Sequence, residues 1–166
     1  MPDLVIQLTK GVDGGAVLRC IRADGSTTWQ RQEGRSAAFF PLHDLTHYAI
    51  ETELGFRSGF YGLVADGWDI RDTEGKGARG PLPAEAIAAE HLAGMFDLER
   101  AGSVVWKAAE LNDEAARYAR EGGRKPPREL TDVELERIRT RLGELYARWA
   151  VVPAGLTMEL TFERGK

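Results

Sequence analysis

From Leu156 to Glu163 apolar and polar side chains alternate without interruption: Leu156, Met158, Leu160 and Phe162 against Thr157, Glu159, Thr161 and Glu163. A period of two puts one set on a buried face and the other in water, which predicts a half-buried strand. Leu4, Ile6 and Leu8 alternate in the same way and predict a first strand over Leu4–Thr9, followed by a turn at Gly11, Asp13, Gly14 and Gly15. A second strand runs over Ala16–Ala23 and a third over Ser26–Gln32. Asp24-Gly25 between them reads as a two-residue hairpin turn, because primed turns need φ > 0 at both positions. That turn pairs Ala23 with Ser26, sets Cys20 opposite Trp29, and places Leu18, Cys20 and Trp29 on the core face. The last strand needs a partner, and the N-terminal hairpin is the sheet available to it.

Between the third and last strands the period lengthens to that of a helix. Pro41 suits a first helical turn, and Gly55 suits a left-handed cap at the end of the same helix. Phe56–Ile70 carries Phe56, Phe60, Tyr61 and Trp68, interrupted by Gly59, Gly62 and Gly67. It predicts a short helix packed closely on its neighbour, with the aromatics in the core. Asp72–Pro83 reads as a loop. Its Gly-Lys-Gly-Ala-Arg-Gly segment could cradle a phosphate, although the phosphate-loop spacing is missing.

Pro83 opens a helix to about Glu99, with Ile87, His91, Met95 and Leu98 on its apolar face. Ser103 caps the next, which turns Val104, Leu111, Ala115 and Tyr118 inward. Gly122-Gly123-Arg124-Lys125-Pro126-Pro127 breaks the chain. Thr131 with Glu134 forms a capping box for a final helix, whose buried stripe is Val133, Leu135, Ile138, Leu142, Leu145 and Trp149. The order is three strands, about five helices, and one strand. It predicts a single α+β domain over residues 1–166: an antiparallel sheet of about four strands with the helices packed on it.

Composition narrows the class. Apolar residues make up 43% and charged residues 29%, an ordinary globular balance. A net charge of −4 with no basic stripe argues against nucleic acid as a partner. Met1-Pro2-Asp3 and the short apolar run after it do not read as a signal peptide, and no stretch approaches the ~20 apolar residues of a membrane span. One cysteine, Cys20, suits a reducing compartment, and its mid-strand position makes it inert core. These features predict a cytoplasmic protein whose partner is a small molecule or another protein.

The chemistry concentrates in one stretch. On a helix His43 and His47 stand one turn apart, with side chains about 6 Å from each other. At about 100° per residue, Asp44 and Glu51 share their arc, while Leu42, Leu45 and Ala49 point elsewhere. Ile50 and Leu54 flank the histidines, so the arc is more than a solvated face. Two imidazoles at this spacing are two corners of a divalent-metal site of the zinc type. The third ligand is His91, the remaining histidine, or Glu51, with Glu90 a weaker candidate. Asp44 ligates directly or orients a histidine. A metal-dependent hydrolase is one reading, with Asp44 or Glu51 activating the water. A non-catalytic interaction or structural protein, whose histidines only order the helix, is the other.

His43-Asp44-Leu45-Thr46-His47 resembles the H-E-x-x-H helix of zinc metallopeptidases over five residues, with Asp44 where that family carries its glutamate base. The His-Asp pair is similar to that of HD-type phosphohydrolases, which have a further histidine upstream that this chain lacks. The three histidines are similar to those of DinB-like bundles, which lack strands. More broadly, residues 38–70, with the P-x-H-D-L-x-H-x-x-x-E helix and the following Gly-Phe-Tyr-Gly-Leu-Val-Ala, resemble an uncharacterised bacterial family. No activity is known for that family, so the resemblance implies none.

Overall fold

Alternating apolar positions build the sheet. The computed structural model of the chain describes residues 1–77 and 79–165. Strands β1 (Leu4–Lys10), β2 (Ala16–Arg22) and β3 (Thr27–Arg31) form an antiparallel meander. Strand β4 (Thr157–Phe162) joins the free side of β1, giving the order β3-β2-β1-β4. Ile6 lies between Cys20 and Leu160, and Leu8 between Leu18 and Met158, so one face is a continuous apolar layer. Cys20 is fully buried in it, and burial pushes its thiol up to about 12, as an inert core cysteine should be.

The β2–β3 hairpin corrects the predicted register. Arg22 N donates to Ser26 O at 2.9 Å, Gly25 N donates to Arg22 O at 2.9 Å, and Gly25 is left-handed with φ 84°. The loop is therefore three residues, Ala23-Asp24-Gly25, a turn followed by a glycine bulge. Asp24 Oδ1 fastens it by accepting from Ser26 N at 2.8 Å. The extra loop residue slips the pairing by one, so Cys20 opposes Thr28 and Trp29 opposes Arg19. Such a slip exchanges the faces of a strand. Trp29 accordingly points outward at 60% exposure and Thr28 points in. The buried Thr28 hydroxyl donates to Asp69 Oδ2 at 3.0 Å and accepts from Ile70 N at 3.1 Å, so it is satisfied.

Among the described residues five α-helices follow: α1 (Phe39–Glu53), α2 (Phe60–Ala65), α3 (Ala84–Arg100), α4 (Ala108–Glu121) and α5 (Asp132–Ala150), with a 3-10 turn at Ile70–Glu74. Helix α1 is the central one. Leu45, Ala49 and Ile50 enter the core. Tyr48 Oη donates to Thr161 O in β4 at 2.8 Å, and the Thr46 and Tyr146 hydroxyls bond at 2.6 Å, tying α1 to α5. Gly55 ends α1 in the left-handed conformation, φ 64°.

Several expected core positions lie elsewhere. Helix α4 starts at Ala108 rather than after Ser103, with Glu110 returning to the Lys107 N–H at 3.2 Å, and Tyr118 is 40% exposed. Val133 and Leu156 sit beyond the buried stripe of α5 and outside β4, and both face solvent. Leu98 is also exposed, because the buried stripe of α3 is Ala89, Leu92, Ala93, Met95 and Phe96. The capping box at Thr131 and Glu134 is present. The glycine-rich segment considered for phosphate contains Ala78 and lies partly outside the described residues. Among the described residues no helix is long and apolar enough to cross a membrane.

Candidate metal centre

Two facing helices assemble the site. On α1, His43, His47 and Glu51 form a ladder with one step per turn. On α3, Glu90 and Asp97 are seven residues apart, two turns on one face. Packed together, the helices bring His43, His47 and Glu90 to a point: one ligand atom from each lies within 4.8 Å of the others. His47 Nε2 is 2.7 Å from Glu90 Oε2, and His43 Nε2 is 3.4 Å from the same oxygen. The imidazoles meet edge-on with centroids 4.9 Å apart, flanked by Phe39 stacked on His43 and Phe60 beside His47.

Each imidazole is faced from behind by a carboxylate. His43 Nδ1 is 2.6 Å from Asp97 Oδ2, and Asp97 is itself held by Arg100 at 3.1 Å. His47 Nδ1 faces Glu51 Oε1 at 3.9 Å. Glu51 is fully buried, with Oε2 accepting from Tyr61 N at 3.1 Å. Its room comes from Gly59, where a Cβ would stand 1.9 Å from Glu51 Oε1. The glycine predicted to allow close packing thus admits a carboxylate into the core.

Burial alone would drive both imidazoles neutral. On His43 the carboxylates of Asp97 and Glu90 outweigh it and hold the ring up at about 9. On His47 those of Glu51 and Glu90 outweigh it and hold the ring up at about 10. Glu90, hydrogen-bonded to both rings, is pulled far below the usual carboxylate range. Without a metal both rings therefore hold their protons more tightly than a free histidine does.

That raised proton affinity has a signed consequence. A group whose folded pKa exceeds its unfolded value of about 6.5 stabilises fully below 6.5, and its contribution is lost as pH rises through the folded value. Metal-free protein should therefore lose stability as pH rises from about 6.5 toward the folded values, on the order of 1 kcal/mol per pH unit for each of the two rings. The Asp44, Glu90 and His91 shifts act below this window and that of Cys20 above it. Urea unfolding at several pH values with chelator present checks it. A flat profile would mean the rings are neutral at pH 7.

A cavity of about 360 Å³ opens beside the cluster, walled by Phe60, Leu63, Ile70 and Leu82 and reached by His43, His47, Asp44 and Glu90. Asp44 is buried, and its Oδ2 accepts from Gln32 Nε2. Burial pushes its carboxyl up to about 6, against the opposing pull of Gln32 and the two imidazoles.

The structure thus unites His43 and His47 as predicted, with Asp44 on the adjoining wall. The third group it brings to them is Glu90, the weaker of the sequence candidates, in place of His91 or Glu51. Glu51 stands behind His47 instead of beside its Nε2 atom. His91 is on another face of α3, stacked on Tyr118 with centroids 3.9 Å apart and 3.9 Å from Glu114. The half-buried ring is paired there, so it neither needs nor reaches the cluster, and burial pulls its pKa below the ordinary histidine value. Sequence reasoning missed Asp97 entirely. The signal that could have found it is the seven-residue spacing of Glu90 and Asp97 on a helix.

Fold and site together define an α+β protein with a His-His-Glu cluster at the meeting of two helices. No family model, curated protein or solved structure matches the chain.

Proposed function

We propose that His43, His47 and Glu90 bind a divalent cation of the zinc type, and that the protein is a metal-dependent hydrolase of a small molecule entering the adjoining cavity. One observation carries this reading: both Nε2 atoms converge on one carboxylate oxygen while each Nδ1 is faced by another carboxylate. A carboxylate hydrogen-bonded behind a metal-ligating histidine fixes its tautomer and raises ring basicity. Asp97 stands so behind His43, while Glu51 faces His47 Nδ1 across 3.9 Å as a nearby charge without a hydrogen bond. Charge agrees, since the carboxylates that raise the rings' affinity for protons would favour a dication in the same place. Two imidazoles and one glutamate are also a set that leaves a further position open.

When bound, the cation supplies Lewis acidity for hydrolysis of an ester, amide or phosphoester bond. The chain's own contribution is a proton-transfer group. Asp44, held by Gln32 on the cavity wall beside His43, is the carboxylate placed to take and return a proton. Phe60, Leu63, Ile70 and Leu82 keep that side of the cavity dry and favour an apolar substituent on the substrate.

The test is calorimetric titration with zinc of protein purified without a histidine tag and stripped with chelator. One zinc per chain is expected, with protons released to the buffer and affinity still rising at pH 8 because the rings titrate so high. Asp44→Asn should keep the metal and lose turnover of activated esters. A chain that takes up no zinc sinks the reading. A second reading would then stand. The 2.7 Å His47–Glu90 and 2.6 Å His43–Asp97 contacts already clasp α1 to α3, which is a sufficient structural role.

A further inference from the structure

On the side of α3 that carries His91 lies a second cavity, of about 460 Å³, between α3, α4 and the 122–128 segment. It owes nothing to the metal reading. Leu54, Ile87, Ala88 and Ala115 make an apolar floor, and the stacked rings of His91 and Tyr118 also line it. The volume is in the range that encloses a small organic ligand, about 300–1,000 Å³.

The rim is cationic. Arg57, Arg124 and Lys125 line it, and among the described residues none has a carboxylate within ion-pair distance. Arg124 instead lies over the Tyr118 ring at 5.2 Å. The fourth cation, Arg128, is taken by Glu134 at 2.8 Å. The one acid in the lining, Glu85, is turned to the backbone, with Oε1 accepting from Arg57 N at 2.5 Å and Ser58 N at 3.2 Å. Elsewhere on this acidic chain half of the arginines are ion-paired among the described residues, as in Arg117 with Glu114 and Glu121, Arg139 with Glu99, and Arg141 with Glu53.

An apolar floor under a rim of unpaired cations selects a ligand with an apolar body and an anionic head. We propose that this cavity binds an amphipathic organic carboxylate, its hydrocarbon part on the floor between Ile87, Ala88 and Ala115 and its carboxylate among Arg57, Arg124 and Lys125. Guanidinium suits that head because its planar fork matches a carboxylate.

The probes are decanoate and decyltrimethylammonium, equal in tail and opposite in charge, titrated into the whole chain with chelator present so that the metal centre takes no part. Decanoate should bind one per chain and the ammonium at least about tenfold more weakly. Arg57 and Lys125 are exposed, so reversing both (Arg57→Glu with Lys125→Glu) should leave the fold intact and weaken decanoate about tenfold. Ala88→Trp, which fills the floor, should abolish binding of decanoate. Equal binding of the two probes, no binding of either, or decanoate affinity unchanged by the charge reversal would each overturn the proposal. If Ala88→Trp fails to fold, the charge comparison still decides.

Discussion

A chain cut after Pro153 should not hold the native fold. The cut removes Met158, Leu160 and Phe162, all buried on the core face, at about 1.5–3 kcal/mol each. It also strands the Tyr48 hydroxyl, whose acceptor is Thr161 O, and unpairs one side of β1. The total is comparable with the whole stability of a typical domain, about 5–15 kcal/mol. Circular dichroism and urea unfolding should show a truncated chain that is unfolded or melts far earlier. A truncated chain with the same urea midpoint as the full one would mean that β4 is dispensable and that the sheet is not what supports the helices.

Replacing both His43 and His47 with alanine should erase every effect of metal on stability. In the parent chain, zinc at a hundredfold excess over its dissociation constant should stabilise by about 2.7 kcal/mol. For a chain of this size that raises the melting temperature by about 5–10 °C. In the double variant the rise should vanish. The variant also starts from a lower stability, because Glu51 and Glu90 lose their cationic partners in or near the core. The comparison is therefore with and without zinc in each protein, never between proteins. His91→Ala should keep the full rise, since that ring is stacked on Tyr118 away from the cluster. A rise that survives in the double variant would move any metal to another place.

The histidine ladder was legible because an i, i+4 spacing on a helix needs no tertiary knowledge. The pairing of β4 was legible because alternating Met158, Leu160 and Phe162 demanded a core, and only one sheet was at hand. The third member of the cluster was not. Glu90 and His91 are neighbours in sequence and about 100° apart around the helix axis, so choosing between them requires knowing how α3 faces α1. Histidine chemistry favoured His91, and packing chose Glu90. Glu51 was placed on the correct arc, but its burial behind α2 depends on Gly59, whose missing side chain is meaningful only once the two helices are docked. The β2–β3 register failed for a local reason: Asp24 bonds the Ser26 amide and so lengthens the turn by one residue, a competition that the Asp-Gly pair alone conceals.

The strand order β3-β2-β1-β4 joins the chain's first strand to its last. Every helix therefore belongs to one excursion, which leaves the sheet at Arg31 and returns at Thr157. The pairing of β1 with β4 acts as a clasp on a ring of chain. The entropy of closing such a ring grows only with the logarithm of its length, about 0.6 kcal/mol for a full doubling. Residues added to the exposed link between α3 and α4 would thus change the closure term by a small fraction of that. The architecture gives the connections of the helical layer wide freedom in length, while the register of two terminal strands and the facing of α1 on α3 leave almost none.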